Sequence, residues 1–164
     1  MPQLPVDWAQ VWSVAEKILL AWLLAMPTGL VRERQEHGIG IRTFPIVAMA
    51  SCAYLLLFTS GTPVDLLAAR SRVLQGLIAG IGFVGGGAIL KDGLSVHGTA
   101  TAASIWNTAA IGASVALGRF EIAILLSILN LFTMKALVPL KMRLDRSDKA
   151  NARDGNNGVP PGSS

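Results

Sequence analysis

The sequence predicts an all-α fold, an integral membrane bundle of about five transmembrane helices, followed by a disordered polar tail. Three observations carry that expectation. Hydrophobic residues make up 52% of the 164 positions and charged residues 15%, with a mean hydropathy of +0.52, whereas a soluble domain is about 25% charged. Five apolar runs of near-spanning length recur along the chain. Basic residues gather just outside those runs and form no stripe interleaved with exposed aromatics, so anionic lipid is the expected partner of the net charge of +4 and nucleic acid is not. Unpaired backbone groups are too costly in hydrocarbon, so runs of this length must be helices.

The first run spans about Trp12 to Val31, with Trp8 and Trp12 suited to an interfacial belt and Arg32, Glu33 and Arg34 ending it. Glu16 and Lys17 lie one turn inside; they either snorkel to the headgroups or face the bundle interior. Pro27 removes one backbone donor and predicts a kink near Leu23. No basic residue precedes Lys17 and no small-residue cleavage pattern follows, so this segment is expected to stay in the mature protein.

The second run, Thr43 to Ser60, has Pro45 in its first turn, where a missing N–H is harmless, and ends at Gly61, Thr62 and Pro63. Its lone cysteine, Cys52, reads as a small packing residue. The third run, Val73 to Leu90, carries glycines at 76, 80, 82, 85, 86 and 87. Gly76 with Gly80 and Gly82 with Gly86 form small-xxx-small pairs that let a neighbour approach backbone to backbone, which predicts this helix at the centre of the bundle, against the fourth. Three consecutive glycines each weaken a helix by about 1 kcal/mol relative to alanine, so unwinding at Gly85 to Gly87 is a second expectation.

The fourth run, Thr99 to Leu117, places Ser104, Asn107 and Thr108 on one face that should point away from lipid. Interhelical hydrogen bonding is the commoner use of such a face, and the lining of a polar pathway the rarer one. The fifth run, Ile122 to Leu140, has Asn130 in its middle and Lys135 near its end. Beyond Leu144 the chain is rich in Asn, Gly, Pro and Ser and cannot bury a core, which divides it into a transmembrane domain over 1–144 and a disordered tail over 145–164.

Orientation follows from the basic flanks. With the N-terminus out, nine basic residues (Arg32, Arg34, Arg42, Lys91, Lys141, Arg143, Arg146, Lys149 and Arg153) fall inside and three (Arg70, Arg72 and Arg119) fall outside, which predicts the C-terminus in.

Three blocks then resemble the MgtC/SapB membrane domain: Gly29-Leu30-Val31-Arg32-Glu33-Arg34 with Gly40-Ile41-Arg42-Thr43; the glycine helix from Gly80 to Leu90; and Val96-His97-Gly98-Thr99-Ala100-Thr101-Ala102-Ala103-Ser104-Ile105-Trp106. Their order and spacing match over about residues 14 to 140. The resemblance, together with the polar face of the fourth run that adds Asn107, singles out Arg32, Glu33, Arg42, Thr43, Gly82, Gly85, Gly86, Gly98, Thr99, Thr101, Ser104, Trp106 and Asn107 as candidate functional residues. Val31 and Phe44 stand where the family often has a glutamate and a histidine. Such proteins are bacterial inner-membrane proteins linked to growth in low magnesium and to virulence, and some regulate the membrane ATP synthase. The resemblance implies a short form without the family's soluble C-terminal domain. The partners it implies are the bilayer, together with another copy of the chain or a membrane protein such as the ATP synthase.

Enzymatic chemistry and cofactors are not expected. His37 and His97 lie at predicted loops, no nucleophile has a base beside it, and the glycine run lacks the Lys-Ser/Thr ending of a phosphate loop. His and Cys spacing does not suit zinc, while Glu33, Glu36 or Asp92 would serve at most as a weak Mg²⁺ site. Two functions follow: a non-enzymatic membrane regulator working through helix contacts, or alternatively a small ion transporter or channel component.

Overall fold

The structure is a computed structural model that describes residues 7–35, 40–58, 63–92 and 95–136. Its elements are α1 (Trp8–Gln35), α2 (Thr43–Leu56), α3 (Pro63–Gly87), β1 (Leu90–Asp92), β2 (Ser95–His97), α4 (Thr99–Ala116) and a fifth helix, α5, over 120–136. The all-helical expectation holds apart from the small antiparallel hairpin between α3 and α4, in which Leu90 pairs with His97 and Lys91 with Val96. The predicted tail over 145–164, His37, Glu36 and the basic residues from Lys141 onward lie outside the described residues.

Local chemistry sets each boundary. Asp7 caps α1, its carboxylate accepting from the amides of Ala9 (3.0 Å) and Gln10 (3.4 Å). The helix runs on through Pro27 to Gln35. Its 28 residues measure about 42 Å, more than the roughly 30 Å of a hydrocarbon core. The carbonyl of Gly40 opens α2 by accepting from Thr43 (3.1 Å) and Phe44 (3.5 Å). Gly98 stands at the N-cap of α4 with φ +84°, and Gly118 follows its end with φ +73°, both in the left-handed region that favours glycine. At the start of α5 Arg119 donates to Glu121 (2.5 Å), a bond that holds the Glu121 carboxyl below its usual range.

Among the described residues two helices, α1 and α3, are long and apolar enough to cross a membrane. The third differs from its expected extent: it begins at Pro63 rather than Val73, which takes Arg70 and Arg72 into the helix, and it stays helical through Gly87. The expected unwinding at Gly85 to Gly87 is therefore absent, because the backbone bonds of α3 continue to its end and Ala88 and Ile89 then turn back onto Gly85 and Gly86.

The centre of the bundle is α2 against α4, and this corrects the expectation that the glycine helix sits there. One core cluster joins Ala21 and Ala25 of α1, Ala48, Cys52 and Leu56 of α2, Ile111 and Val115 of α4 and Ala123 of α5. A second joins Phe44 of α2, Ile81 of α3, Ala88, and Ile105 and Ala109 of α4. Between them Gly112 meets Ala48 so closely that a Cβ on Gly112 would overlap the Ala48 carbonyl oxygen and lie 2.9 Å from its carbonyl carbon.

Helix α3, by contrast, is peripheral. Only 6% of its most apolar stretch is buried, and Gly76, Gly80, Gly82 and Gly86 each have open space where a Cβ would go. It rests on α4 through Leu77, Ile81 and Gly85, and even at Gly85 a Cβ would make only ordinary contact, 3.4 Å from the Ala102 carbonyl oxygen. Glycine spacing identifies a helix able to be approached closely; it does not say that another helix of the same chain makes the approach.

Gly112→Leu is accordingly expected to destabilise the bundle by about 1–3 kcal/mol or more through overpacking against Ala48. Gly82→Ala is expected to leave stability unchanged or to raise it by up to about 1 kcal/mol. Thermal melts of the purified protein measure both, and a Gly112→Leu melt equal to wild type contradicts the packing.

Candidate functional site

A seam of buried polar side chains crosses the interior where α1, α4 and α5 meet. Thr28 and Arg32 come from α1, Thr101, Ser104 and Thr108 from α4, and Ser127 and Asn130 from α5, all buried. Each projects inward because it sits on its helix's core-facing stripe: Thr28 and Arg32 are one turn apart, as are Thr101, Ser104 and Thr108 in succession.

The bonds run between helices. The Ser104 hydroxyl donates to Oδ1 of Asn130 (3.0 Å), and the Asn130 amide in turn donates to the Thr28 hydroxyl (3.4 Å), so one amide links all three helices. Ser127 donates to the Leu24 carbonyl (2.6 Å), tying α5 to α1, and Asn107 donates to the Leu126 carbonyl (3.4 Å), tying α4 to α5. Thr108 instead returns its hydroxyl to the Ser104 carbonyl of its own helix (2.7 Å). A buried hydroxyl or amide without a partner costs about 1–3 kcal/mol, so these links are what makes the seam tolerable.

At one end of the seam Arg32, only 4% exposed, donates through Nη2 to the Thr101 hydroxyl in the first turn of α4. A cation so deep requires polar surroundings, and the seam supplies them. Its neighbour Glu33 turns outward: Oε2 accepts from the Ile41 amide (3.2 Å) and lies so near Gly40 that any Cβ there would overlap it. Gly29 belongs to the same closure, since its own Cβ would stand 3.1 Å from Cα of Ile41. Glu33 thus ties the end of α1 to the entry of α2; residues 36–39 between them lie outside the described residues.

The structure gathers some of the sequence candidates and scatters others. Arg32, Thr101, Ser104 and Asn107 join in or beside the seam. Arg42 is exposed just before Thr43, which begins α2. Gly98 fits closely against Ala88, Thr99 is exposed at the start of α4, and Trp106 lies half-exposed at the rim of an apolar groove between α3 and α4. Gly82 and Gly86 face outward, away from the seam, and Gly85 faces α4. Thr28, Ser127 and Gly112 were not singled out. Thr28 and Ser127 lack the clustering that drew attention to Ser104, Asn107 and Thr108, and Gly112 has no glycine partner four residues away.

A groove of about 340 Å³ opens from the seam between α4 and α5, lined by Ala103, Ser104, Asn107, Leu129, Asn130 and Thr133 among others. Among the described residues no three of His, Cys, Asp and Glu come together as a metal site. Glu33 is engaged with Ile41, and Glu36 and the side chain of Asp92 fall outside the description.

The described helices form an all-helical bundle with large aliphatic side chains outside and a hydrogen-bonded polar seam inside, and two of them are long and apolar enough to cross a membrane. The chain belongs to the MgtC family, whose profile matches residues 18–143. It is 32% identical over 146 residues to protein SrpB of Synechococcus elongatus, a match covering 82% of this chain and 79% of that one. It is 31% identical over 134 residues to the putative magnesium transporter YhiD of Escherichia coli, covering 78% of this chain and 62% of YhiD. Against MgtC of Salmonella typhimurium it is 32% identical over 114 residues, covering 70% of this chain and 48% of MgtC. No solved structure matches it.

If Asn130 is the link among α1, α4 and α5, Ser104→Ala and Asn130→Ala should not add. A double-mutant cycle on thermal or denaturant stability is expected to give a coupling of about 0.5–1.5 kcal/mol, while Ser104→Ala with Ser51→Ala should be additive, because Ser51 donates to its own helix at the Val47 carbonyl. Equal additivity in both pairs contradicts the seam.

Proposed function

We propose that this chain is a multi-pass inner-membrane protein of five spans, N-terminus out and C-terminus in, that acts without enzymatic chemistry through helix contacts with itself or with a membrane partner. The observation that carries this reading is the seam itself. Its serines and its central asparagine are committed to interhelical bonds, the use of polar groups that holds membrane helices together. The outward faces of α1 and α5, with Leu19, Leu23, Leu125, Ile128 and Phe132 exposed, suit lipid. Trp8 and Trp12, both exposed at the start of α1, suit the interface. Family membership supports a place in adaptation to low magnesium.

A small ion transporter is the second reading. It is favoured by the groove between α4 and α5, to whose mostly apolar lining Ser104, Asn107, Asn130 and Thr133 contribute polar groups, and by the name of the relative YhiD. Reconstituted liposomes separate the two. The regulator is expected to show no selective ion flux and to bring a membrane protein with it on gentle solubilisation; selective flux that disappears in Asn107→Leu selects the transporter.

Orientation has its own test. A reporter fused after Ser164 is expected to be active only on the cytoplasmic side, by the charge bias of nine basic residues against three. Activity confined to the periplasm overturns the predicted topology, either by reversing the orientation or by changing the number of spans.

A further inference from the structure

An apolar groove of about 280 Å³ runs between α3 and α4, on the face of α4 turned away from the polar seam. It is lined by Leu74, Leu77 and Ile81 of α3 and by Trp106, Ala110 and Leu117 of α4 among others, with Ser114 contributing a hydroxyl. A groove left empty forfeits dispersion contacts along its walls, and a bilayer offers hydrocarbon to fill it. The charges at one end of the groove say which hydrocarbon.

The two helices run antiparallel, joined by the hairpin, with Gly85 against Ala102. Equal steps back along α3 and forward along α4 from that contact reach Ile81 and Trp106 first, and later Arg70 and Leu117. Trp106 and Ile81 therefore stand at one end of the groove and Arg70 stands level with Leu117 at the other. Residues 70, 74, 77 and 81 share one stripe of α3, so Arg70 is the groove's own stripe continued by one turn. Its Nε donates to the Phe58 carbonyl (3.3 Å), which uses one of the five guanidinium donors. Arg119 follows Leu117 by two residues, and its amide donates to the carbonyl of the lining residue Ser114 (2.9 Å). Its side chain meets Glu121 at 2.5 Å. Asp65 and Arg72 point elsewhere, about 140° and 200° around α3 from Arg70. Among the described residues the mouth of the groove thus holds Arg70, Arg119 and Glu121, an excess of positive charge.

Depth adds a second constraint. From Arg70 to Ile81 the helix rises about 16 Å, close to the roughly 15 Å of hydrocarbon in one leaflet, half of a 30 Å core. An apolar slot one leaflet deep with a cationic mouth is complementary to a molecule made of a hydrocarbon chain and an anionic head.

We propose that this groove holds an acyl chain of an anionic phospholipid, whose phosphate is bound at the mouth by Arg70 and Arg119. Arginine presents planar, charge-assisted donors to phosphate oxygens, and the chain runs inward from there to Trp106. The proposal rests on the membrane-bundle reading above and adds a lipid site to it.

Trp106 reports on the site directly. With Trp8→Phe, Trp12→Phe and Trp22→Phe it is the one tryptophan left in the chain, and bromine on the far half of an acyl chain quenches an indole that it touches. The full chain is reconstituted in phosphatidylcholine vesicles with a small fraction of brominated phosphatidylglycerol, or with the same fraction of brominated phosphatidylcholine. The phosphatidylglycerol is expected to quench Trp106 more strongly. Arg70→Gln is expected to lower its relative affinity about fivefold, the weight of one basic residue at an anionic surface. Arg72→Gln, which removes the same charge from another side of α3, is expected to leave that affinity unchanged, and Ala110→Leu, which fills the groove, to abolish the preference. Equal quenching by the two lipids, equal losses from Arg70→Gln and Arg72→Gln, or a preference that survives Ala110→Leu overturns the proposal and leaves the bundle reading standing. Recovery of the unsubstituted chain outside the membrane fraction overturns both.

Discussion

The contact on which the rest of the bundle depends is the meeting of α2 and α4 at Gly112 and Ala48. With no side chain on Gly112 the two backbones come together, and both core clusters are assembled on the resulting pair. Alanine is the recurrent filler on one side (Ala21, Ala25, Ala48, Ala123), which brings α1 and α5 close; larger groups, Phe44, Ile81 and Ile105, fill the other, toward α3. Widening the α2–α4 spacing would separate both sets at once, since packed interiors do not absorb added volume locally.

The polar seam depends on the same spacing. Hydrogen bonds of 3.0 and 3.4 Å through Asn130 exist only if α1, α4 and α5 are held at a fixed separation by the alanines beside them. Small residues set the distance and polar residues fix register and rotation. Interhelical bonds of this kind contribute modestly in a bilayer, about 0.6 kcal/mol on average, so the seam specifies the arrangement more than it stabilises it. Arg32 closes the seam at the end where α1 meets α4, while Glu33 spends its carboxylate on the turn into α2. Adjacent charges that read alike in sequence therefore do different work.

Two departures from the family pattern find a place in this frame. Phe44, where the family often has a histidine, is fully buried in the core with Ile81, Ile105 and Ala109, so an apolar side chain there is packed on all sides. Val31, where the family often has a glutamate, is half-buried on α1, one residue before Arg32. Among the described side chains, the charged groups at the end of α1 and the entry to α2 are Arg32, which is buried, and Glu33 and Arg42, which are exposed.

Helix identity and the starts of α2 and α4 were legible in the chain because they follow from local chemistry, apolar run length and Pro45 in a first turn; the start of α3, at Pro63 rather than Val73, was not. The polar face of the fourth helix was legible from the spacing of Ser104, Asn107 and Thr108. Which glycines are crowded was not. Six glycines in α3 outweighed one in α4 when read as a pattern, yet Gly112 carries the close contact and most of α3 stands open. Helix periodicity is a property of one segment and can be read from that segment alone. Crowding at a face belongs to two segments and is decided only when both backbones are in place, as is the burial of Arg32, a residue that reads in sequence as the charged end of a span and in the fold as part of its interior.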